Sequence, residues 1–210
     1  MKKIKIPFLL VLFTLAFLSA NFGQVDKKNK SIDWMTFDEV EEALKKEKKK
    51  VFVDVYTQWC GWCKKMDKST FKKKHIIEYV NKNYYAVKFD AEYKEDITLD
   101  GKTYKFIKGE NGHRGYHELA AAITKGRLSF PTSVFLNDNL SLIQPIPGYL
   151  DQDKFEVIMT YFAENQHRKT PWTTYQKTYT PIKNRNPLKL PDEKTKKKAL
   201  TPVVNNKNKD

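Results

Sequence analysis

The stretch VFVDVYTQWCGWCK, residues 51–64, contains both cysteines of the chain, Cys60 and Cys63. The β-branched and aromatic residues of its first half are typical of a β-strand. We predict a helix over residues 60–72, with Cys60 at its N-terminus. The free N–H groups and the dipole at a helix N-terminus favour a negative charge, so they lower the pKa of a cysteine thiol. The stretch therefore predicts a strand–turn–helix unit with two thiols on one helical face.

Helices and strands alternate on both sides of this unit. Thr36 and Glu39 form a capping-box pattern that opens a helix over residues 36–48. Asp100-Gly101 is a dipeptide typical of a two-residue hairpin turn. The other expected elements are helices at 75–81, 115–126 and 151–165, strands at 84–92, 131–137 and 140–149, and a hairpin at 97–107. This order predicts an α/β domain whose central mixed sheet is flanked by helices.

The two ends of the chain differ from the domain in composition. Residues 1–23 combine three lysines, an apolar run and small residues, which is typical of a secretory signal peptide. The apolar run is shorter than the roughly 20 residues that a spanning helix needs, so we expect no stable membrane insertion after cleavage. We expect a linker at 24–32, the domain at 33–166, and a disordered basic Pro/Lys-rich tail at 167–210. The chain is thus predicted to be exported.

The positive charge lies mainly outside the predicted domain. Of the net charge of +14, residues 168–210 carry +9 and residues 24–167 carry only +2. The domain has no basic bias and no nucleic-acid-binding motif. We therefore expect no nucleic-acid partner.

The cysteine pair has two alternatives to redox chemistry. A structural disulfide that closes a loop of two residues would stabilise the fold little, because it constrains little of the unfolded chain. A zinc site would need His113 and His117 as further ligands. However, 49 residues separate Cys63 from His113, against about 12–15 in a zinc finger. We expect no metal, and we expect the two histidines to be surface features of a loop or part of the site rim.

Several separated elements together resemble the thioredoxin superfamily over residues 33–166. Asp54 is a charge inside an apolar strand, six residues before Cys60, and Lys88 is a charge inside the next strand. The segment SFPTSVF resembles the cis-proline segment of that family, with Pro131 as the cis residue. The pattern WCGWCKKM is most similar to exported thioredoxin-like reductases of bacterial envelopes. The resemblance implies a thioredoxin fold, here with a hairpin-containing insertion at about 93–117, before the cis-proline.

The resemblance also implies roles for individual residues. Cys60 would be the nucleophile, Cys63 the resolving thiol, and Asp54, paired with Lys88, the proton acceptor. The implied substrate-binding residues are Trp59, Gly61, Trp62, Phe130, Pro131 and Thr132. No cofactor is implied. The Gly61-Trp62 dipeptide differs from those of general reductases and strong oxidants, so it leaves the redox direction open.

The function implied is that of a thiol–disulfide oxidoreductase that acts on protein or peptide disulfides in the periplasm. The expected direction is reduction, with a membrane thiol-reducing protein as electron donor. Two alternatives remain open at the level of sequence. One is a redox-inert binding module on the same fold, and the other is an oxidase or isomerase that uses the same two cysteines.

Overall fold

The computed structural model describes residues 30–185, which form one mixed sheet between two helical layers. The strands of this sheet are β1 (Trp34–Met35), β2 (Lys50–Tyr56), β3 (Tyr84–Asp90), β8 (Thr132–Leu136) and β9 (Leu142–Pro147). The helices are α1 (Phe37–Lys46), α2 (Gly61–Ser69), α3 (Lys74–Asn83), α4 (Glu118–Ile123), α5 (Gln152–Ala163) and α6 (Trp172–Thr178). Short strands β4 (Ile97–Leu99), β5 (Lys102–Tyr104), β6 (Phe106–Ile107) and β7 (Tyr116–His117) lie between β3 and α4. Within this part of the chain, no helix has the length and apolar character needed to cross a membrane.

The sheet has the order β1-β3-β2-β8-β9, and β2 is its central strand. β3 runs parallel to β1 and β2, whereas β8 runs antiparallel to β2 and β9. The predicted mixed sheet is therefore confirmed. In this register Asp54 lies beside Lys88 on β3 and opposite Ser133 on β8, so three polar residues form one row across three strands.

Successive side chains of β2 point to opposite faces of the sheet, so they contribute to two separate core layers. Phe52 packs with Met66 of α2 and Phe155 of α5 on one face. Val53 packs on the other face with residues of α1 and α4. Asp54 has the same parity as Phe52, so the row of polar residues lies on the α2 side of the sheet.

Local sequence signals explain two of the predicted elements. The N–H of Glu39 donates to the Thr36 hydroxyl, and the N–H of Thr36 donates to the Glu39 carboxylate, so the predicted capping box is present. Asp100 and Gly101 have φ values of 52° and 72°, which form the turn of the β4–β5 hairpin. The predicted helix over 115–126 is shorter than expected, because residues 116–117 pair with β6 as strand β7.

The prediction of a disordered tail is wrong for residues 167–185. Trp172 and Tyr175 of α6 pack on Tyr161 of α5, with ring centroids 5.2 and 4.9 Å apart. The phenol of Tyr179 donates to the buried carboxylate of Glu156 at 2.6 Å. The basic composition of this segment concealed aromatic residues spaced at helical intervals, which give α6 an apolar face. Residues 1–29, with the predicted signal peptide, and residues 186–210 lie outside the described part of the chain.

We predict that α6 contributes measurably to stability. Replacing Trp172 with alanine removes a half-buried ring from Tyr161, and the free energy of unfolding should fall by about 1–2 kcal/mol. Denaturant titration of the full chain measures the change. Thr173→Ala, at an exposed position of the same helix, is the matched control and should be neutral within about 0.5 kcal/mol. Equal stability of Trp172→Ala and the control would contradict the packing role.

Candidate active site

The two cysteines form a disulfide at the N-terminus of α2. Cys60 is the N-cap residue, and its Sγ accepts a hydrogen bond from the N–H of Cys63 at 3.0 Å. Cys60 is 5% exposed and Cys63 is 2% exposed. The same N–H group and the helix dipole would stabilise a thiolate at Cys60 after reduction. The predicted strand–turn–helix geometry of the pair is therefore present.

The structure gives the histidines of the zinc alternative different surroundings. His113 is exposed, but His117 is completely buried, so the expectation of a surface position is wrong for His117. Its Nδ1 accepts from the N–H of Leu119 at 3.2 Å, and its Nε2 lies 3.0 Å from the carbonyl oxygen of Glu95. Both ring nitrogens thus have partners, and they connect the insertion to the start of α4. Among residues 30–185, no group of three or more His, Cys, Asp or Glu side chains is arranged to hold a metal.

The structure brings Asp54 and Lys88 together and adds a third charge. Nζ of Lys88 donates to Oδ2 of Asp54 at 2.7 Å and to Oδ1 of Asp67 at 2.5 Å. Asp54 is 1% exposed, whereas the Asp67 side chain is 37% exposed. Asp67 was missed in the sequence analysis, although it lies four residues after Cys63 and thus on the same helical face.

Burial controls the acid–base behaviour of Asp54. Desolvation raises the pKa of Asp54 above its usual value, and the charge and hydrogen bond of Lys88 offset this effect only in part. Burial acts to lower the pKa of Lys88, but the two neighbouring carboxylates outweigh it and leave that pKa raised. A buried carboxyl group with a raised pKa is suited to exchange a proton with a nearby thiol.

Aromatic rings surround the Lys88 ammonium. Its Nζ lies 4.8 Å from the ring centroid of Tyr56, 5.3 Å from that of Trp34 and 5.7 Å from that of Phe71. These rings limit the access of water and interact favourably with the cation. The lysine is therefore held in place as the fixed positive partner of Asp54.

Two tryptophans flank the disulfide, and both are accessible. Trp59 is 51% exposed and Trp62 is 57% exposed. The indole N–H of Trp59 donates to Glu92 at 3.0 Å, and the guanidinium of Arg114 lies 5.2 Å from the ring. Arg114 belongs to the insertion, so this part of the insertion contacts the site rim. Glu92 and Arg114 were not predicted, because their sequence context carries no signal for the contact.

Trp62 packs on a different set of residues from Trp59. Its ring lies 5.4 Å from that of Tyr149 and 4.6 Å from Nζ of Lys65. A side chain at Gly61 would meet no atom within 4 Å, so packing does not require a glycine there. The Gly61-Trp62 dipeptide is thus exposed, whereas the two cysteines that it separates are buried.

The Phe130–Pro131 peptide bond is cis, as the sequence analysis expected. The carbonyl oxygen of Pro131 accepts from the N–H of Gly148 at 2.8 Å, and the Thr132 hydroxyl donates to Ser129 at 2.6 Å. The ring of Phe130 lies 6.0 Å from that of Trp59. Trp59 and Phe130 line a cleft of about 190 Å³ with residues of the insertion, so two predicted substrate-binding residues share one cavity.

Comparison with known proteins identifies the family. The sequence matches the family described as thioredoxin-like domain over residues 37–163. The uncharacterized protein B0495.5 of Caenorhabditis elegans is 31% identical over 123 residues, 57% of this chain and 14% of that protein. Human spermatogenesis-associated protein 20 is 24% identical over 187 residues, 84% of this chain and 21% of that protein. The match thus spans only about a fifth or less of these two relatives.

A solved structure with a similar fold is a thioredoxin-fold protein from Helicobacter pylori. It is 17% identical, with a TM-score of 0.49, and the match covers 62% of this chain and 83% of that one. The family match is independent of this likeness and covers more than half of the chain, including the disulfide, Asp54 and the cis-proline. The resemblance predicted from the sequence is therefore confirmed, and the chain belongs to the thioredoxin-like domain family.

Proposed function

We propose that this protein is a thiol–disulfide oxidoreductase that reduces protein or peptide disulfides in the cell envelope. The observation that carries the proposal is the Cys60–Cys63 disulfide at a helix N-terminus, on a sheet whose buried Asp54 has a raised pKa. A binding module without redox chemistry would not require this combination. The location rests on the signal-peptide pattern of residues 1–23.

The proposed reaction begins with the reduced protein. The Cys60 thiolate attacks one sulfur of the client disulfide and forms a mixed disulfide, and the first client thiolate leaves and takes up a proton. Cys63 then transfers its proton to Asp54 and attacks Sγ of Cys60. The Cys60–Cys63 disulfide forms, the second client thiolate leaves, and it takes up a proton in turn. Two electrons pass from the protein to the client, and an external thiol donor must restore the dithiol.

The proposed substrate surface consists of the exposed residues around the disulfide. Trp59 and Trp62, which are next to the cysteines in sequence and more than half exposed, offer apolar surface to a client. The cis-proline segment of Phe130, Pro131 and Thr132 would pair with an extended client chain through its backbone. A membrane thiol-reducing protein is the proposed electron donor, because an exported dithiol has no access to cytoplasmic reductants.

Precipitation of insulin after reduction of its disulfides tests the proposal. The protein, kept reduced by dithiothreitol, should accelerate precipitation well above dithiothreitol alone. The same protein with both thiols alkylated is the matched control and should have no effect. Equal rates for the two preparations would eliminate the enzymatic function and leave the binding module.

The reduction potential of the Cys60–Cys63 pair tests the direction. Equilibration with defined thiol–disulfide buffers should give a value near that of thioredoxin, about −270 mV, for a reductase. A value near about −120 mV would identify an oxidant and overturn the proposed direction.

A further inference from the structure

Two buried oxygen atoms on the α2 side of the sheet lack hydrogen-bond partners among the described residues. They are Oδ1 of Asp54 and Oγ of Ser133. Asp54 is 1% exposed and Ser133 is fully buried. A buried polar atom without a partner is costly, so native proteins rarely keep one without a functional reason.

The register of the sheet places these two residues directly opposite each other on β2 and β8. Opposite residues of an antiparallel pair share a face, with Cβ atoms about 4.5–5.5 Å apart. Nζ of Lys88 donates a hydrogen bond to Oδ2 of Asp54, so Oδ1 can accept one from a second donor. The Ser133 hydroxyl is a donor at the right place, within reach by side-chain rotation or through one bridging water.

We propose that Ser133 is a positioning residue for Asp54. Its hydroxyl donates to Oδ1 of the ionised carboxylate, and this hydrogen bond prepares Asp54 to receive the proton of Cys63. The inference deepens the proposed function, on which it rests, by adding a residue to the second thiol step. In that step the Cys63 proton moves to Asp54, the Cys63 thiolate attacks Sγ of Cys60, and the client thiolate leaves.

Few charged groups act on Asp54, so the contribution of Ser133 can be isolated. Lys88 approaches from β3 and Asp67 from α2, and the Tyr56 phenol lies farther along β2. β8 contributes no titratable side chain. A hydrogen bond to the charged form lowers the pKa of a carboxyl group, so Ser133 opposes the effect of burial.

The reaction of the reduced protein with 5,5′-dithiobis(2-nitrobenzoate) isolates this step. Attack by Cys60 releases one thionitrobenzoate, and attack by Cys63 on the resulting mixed disulfide releases a second. Stopped-flow absorbance measures both releases across a pH series. The rate of the second release should fall off at low pH, where Asp54 is protonated; we call this fall the acid limb of the pH–rate profile. Ser133→Ala should move the acid limb upward by about one pH unit, so that the second release is about tenfold slower at pH values below it. The first release should not change.

Two further variants separate a positioning role from a structural one. Ser133→Thr keeps the hydroxyl and should restore the wild-type limb. Thr124→Val removes a buried hydroxyl of the opposite layer, where it donates to Ala120 at 2.7 Å, and should leave the limb unchanged. If Ser133→Ala shifts the denaturation midpoint but not the acid limb, Ser133 is structural and the proposal is wrong.

A carboxyl ¹³C titration of Asp54 in the reduced protein gives an independent readout. The pKa of Asp54 should be higher in Ser133→Ala than in wild type, and an unchanged titration would overturn the inference. Wild-type protein that releases no second thionitrobenzoate would contradict the proposed function instead. The titration still tests Ser133 in that case, so the two failures are distinguishable.

Discussion

Replacing Cys63 with serine should trap the protein on its client as a covalent complex. Cys60 keeps its position at the N-terminus of α2, where the dipole stabilises the thiolate, so the first attack proceeds. The second attack requires a thiolate at position 63, and a serine hydroxyl does not replace it. Turnover of insulin should fall by roughly three orders of magnitude or more, and a mixed disulfide should accumulate.

Non-reducing gel electrophoresis with a single-disulfide peptide measures this complex. Cys60→Ser is the matched control, because it leaves Cys63, the more buried of the two cysteines, as the only thiol. That variant should form little or no adduct and should also lack turnover. An adduct of equal yield from both variants would show that the assigned order of nucleophile and resolving thiol is wrong.

Asp54→Asn should make the protein more stable at neutral pH and less active. Ionised Asp54 is buried at a cost that Lys88 offsets only in part, and the isosteric amide carries no charge to desolvate. Lys88 still has Asp67 as a partner. The free energy of unfolding at pH 8 should therefore rise. The second thionitrobenzoate release should slow by about tenfold or more, because its proton acceptor is lost.

The sign of the pH dependence follows from the direction of the pKa shift. The folded-state pKa of Asp54 is raised above the usual value of about 3.9. Its stabilising contribution is therefore fully present below that usual value and is lost as pH rises through the folded-state pKa. Wild-type stability should include this fall with pH, and Asp54→Asn should lack it.

Denaturant titrations at several pH values between 4 and 8 measure the difference between the two proteins. Asp67→Asn is the control, because that carboxylate is more than one-third exposed, and its loss should change stability by no more than about 1 kcal/mol. It should keep a fall of stability with pH that is smaller than in wild type, because Asp67 is a minor cause of the raised pKa of Asp54. A constant stability difference between Asp54→Asn and wild type at all pH values would contradict a raised pKa.

The site residues that could be predicted from the sequence are charged residues inside otherwise apolar strands. Asp54 and Lys88 interrupt apolar strands, and such interruptions are costly unless the charges meet. Their pairing in the structure is the physical reason that the pattern was informative. The sheet and most helix positions were predicted because hydrophobic periodicity reports directly on burial.

Contacts between distant segments were not predictable in the same way. Arg114 reaches Trp59 across the site, and His117 is buried against Phe89, but neither contact leaves a pattern in the local sequence. The pairing of Asp54 with Ser133 depends on strand register, which turns and long-range packing determine. The aromatic residues of α6 did carry a signal, but the surrounding lysines and prolines obscured it.

The row of Lys88, Asp54 and Ser133 limits where the sequence can accept insertions and deletions. Side chains alternate between the faces of a strand, so one inserted residue within β2, β3 or β8 would move a member of the row to the opposite layer. The connection between β3 and β8 has no such restriction, and it already contains two small antiparallel pairs. We therefore expect insertions and deletions that preserve the proposed chemistry to lie in the connections, and a one-residue insertion that displaces a member of the row to abolish the proposed activity.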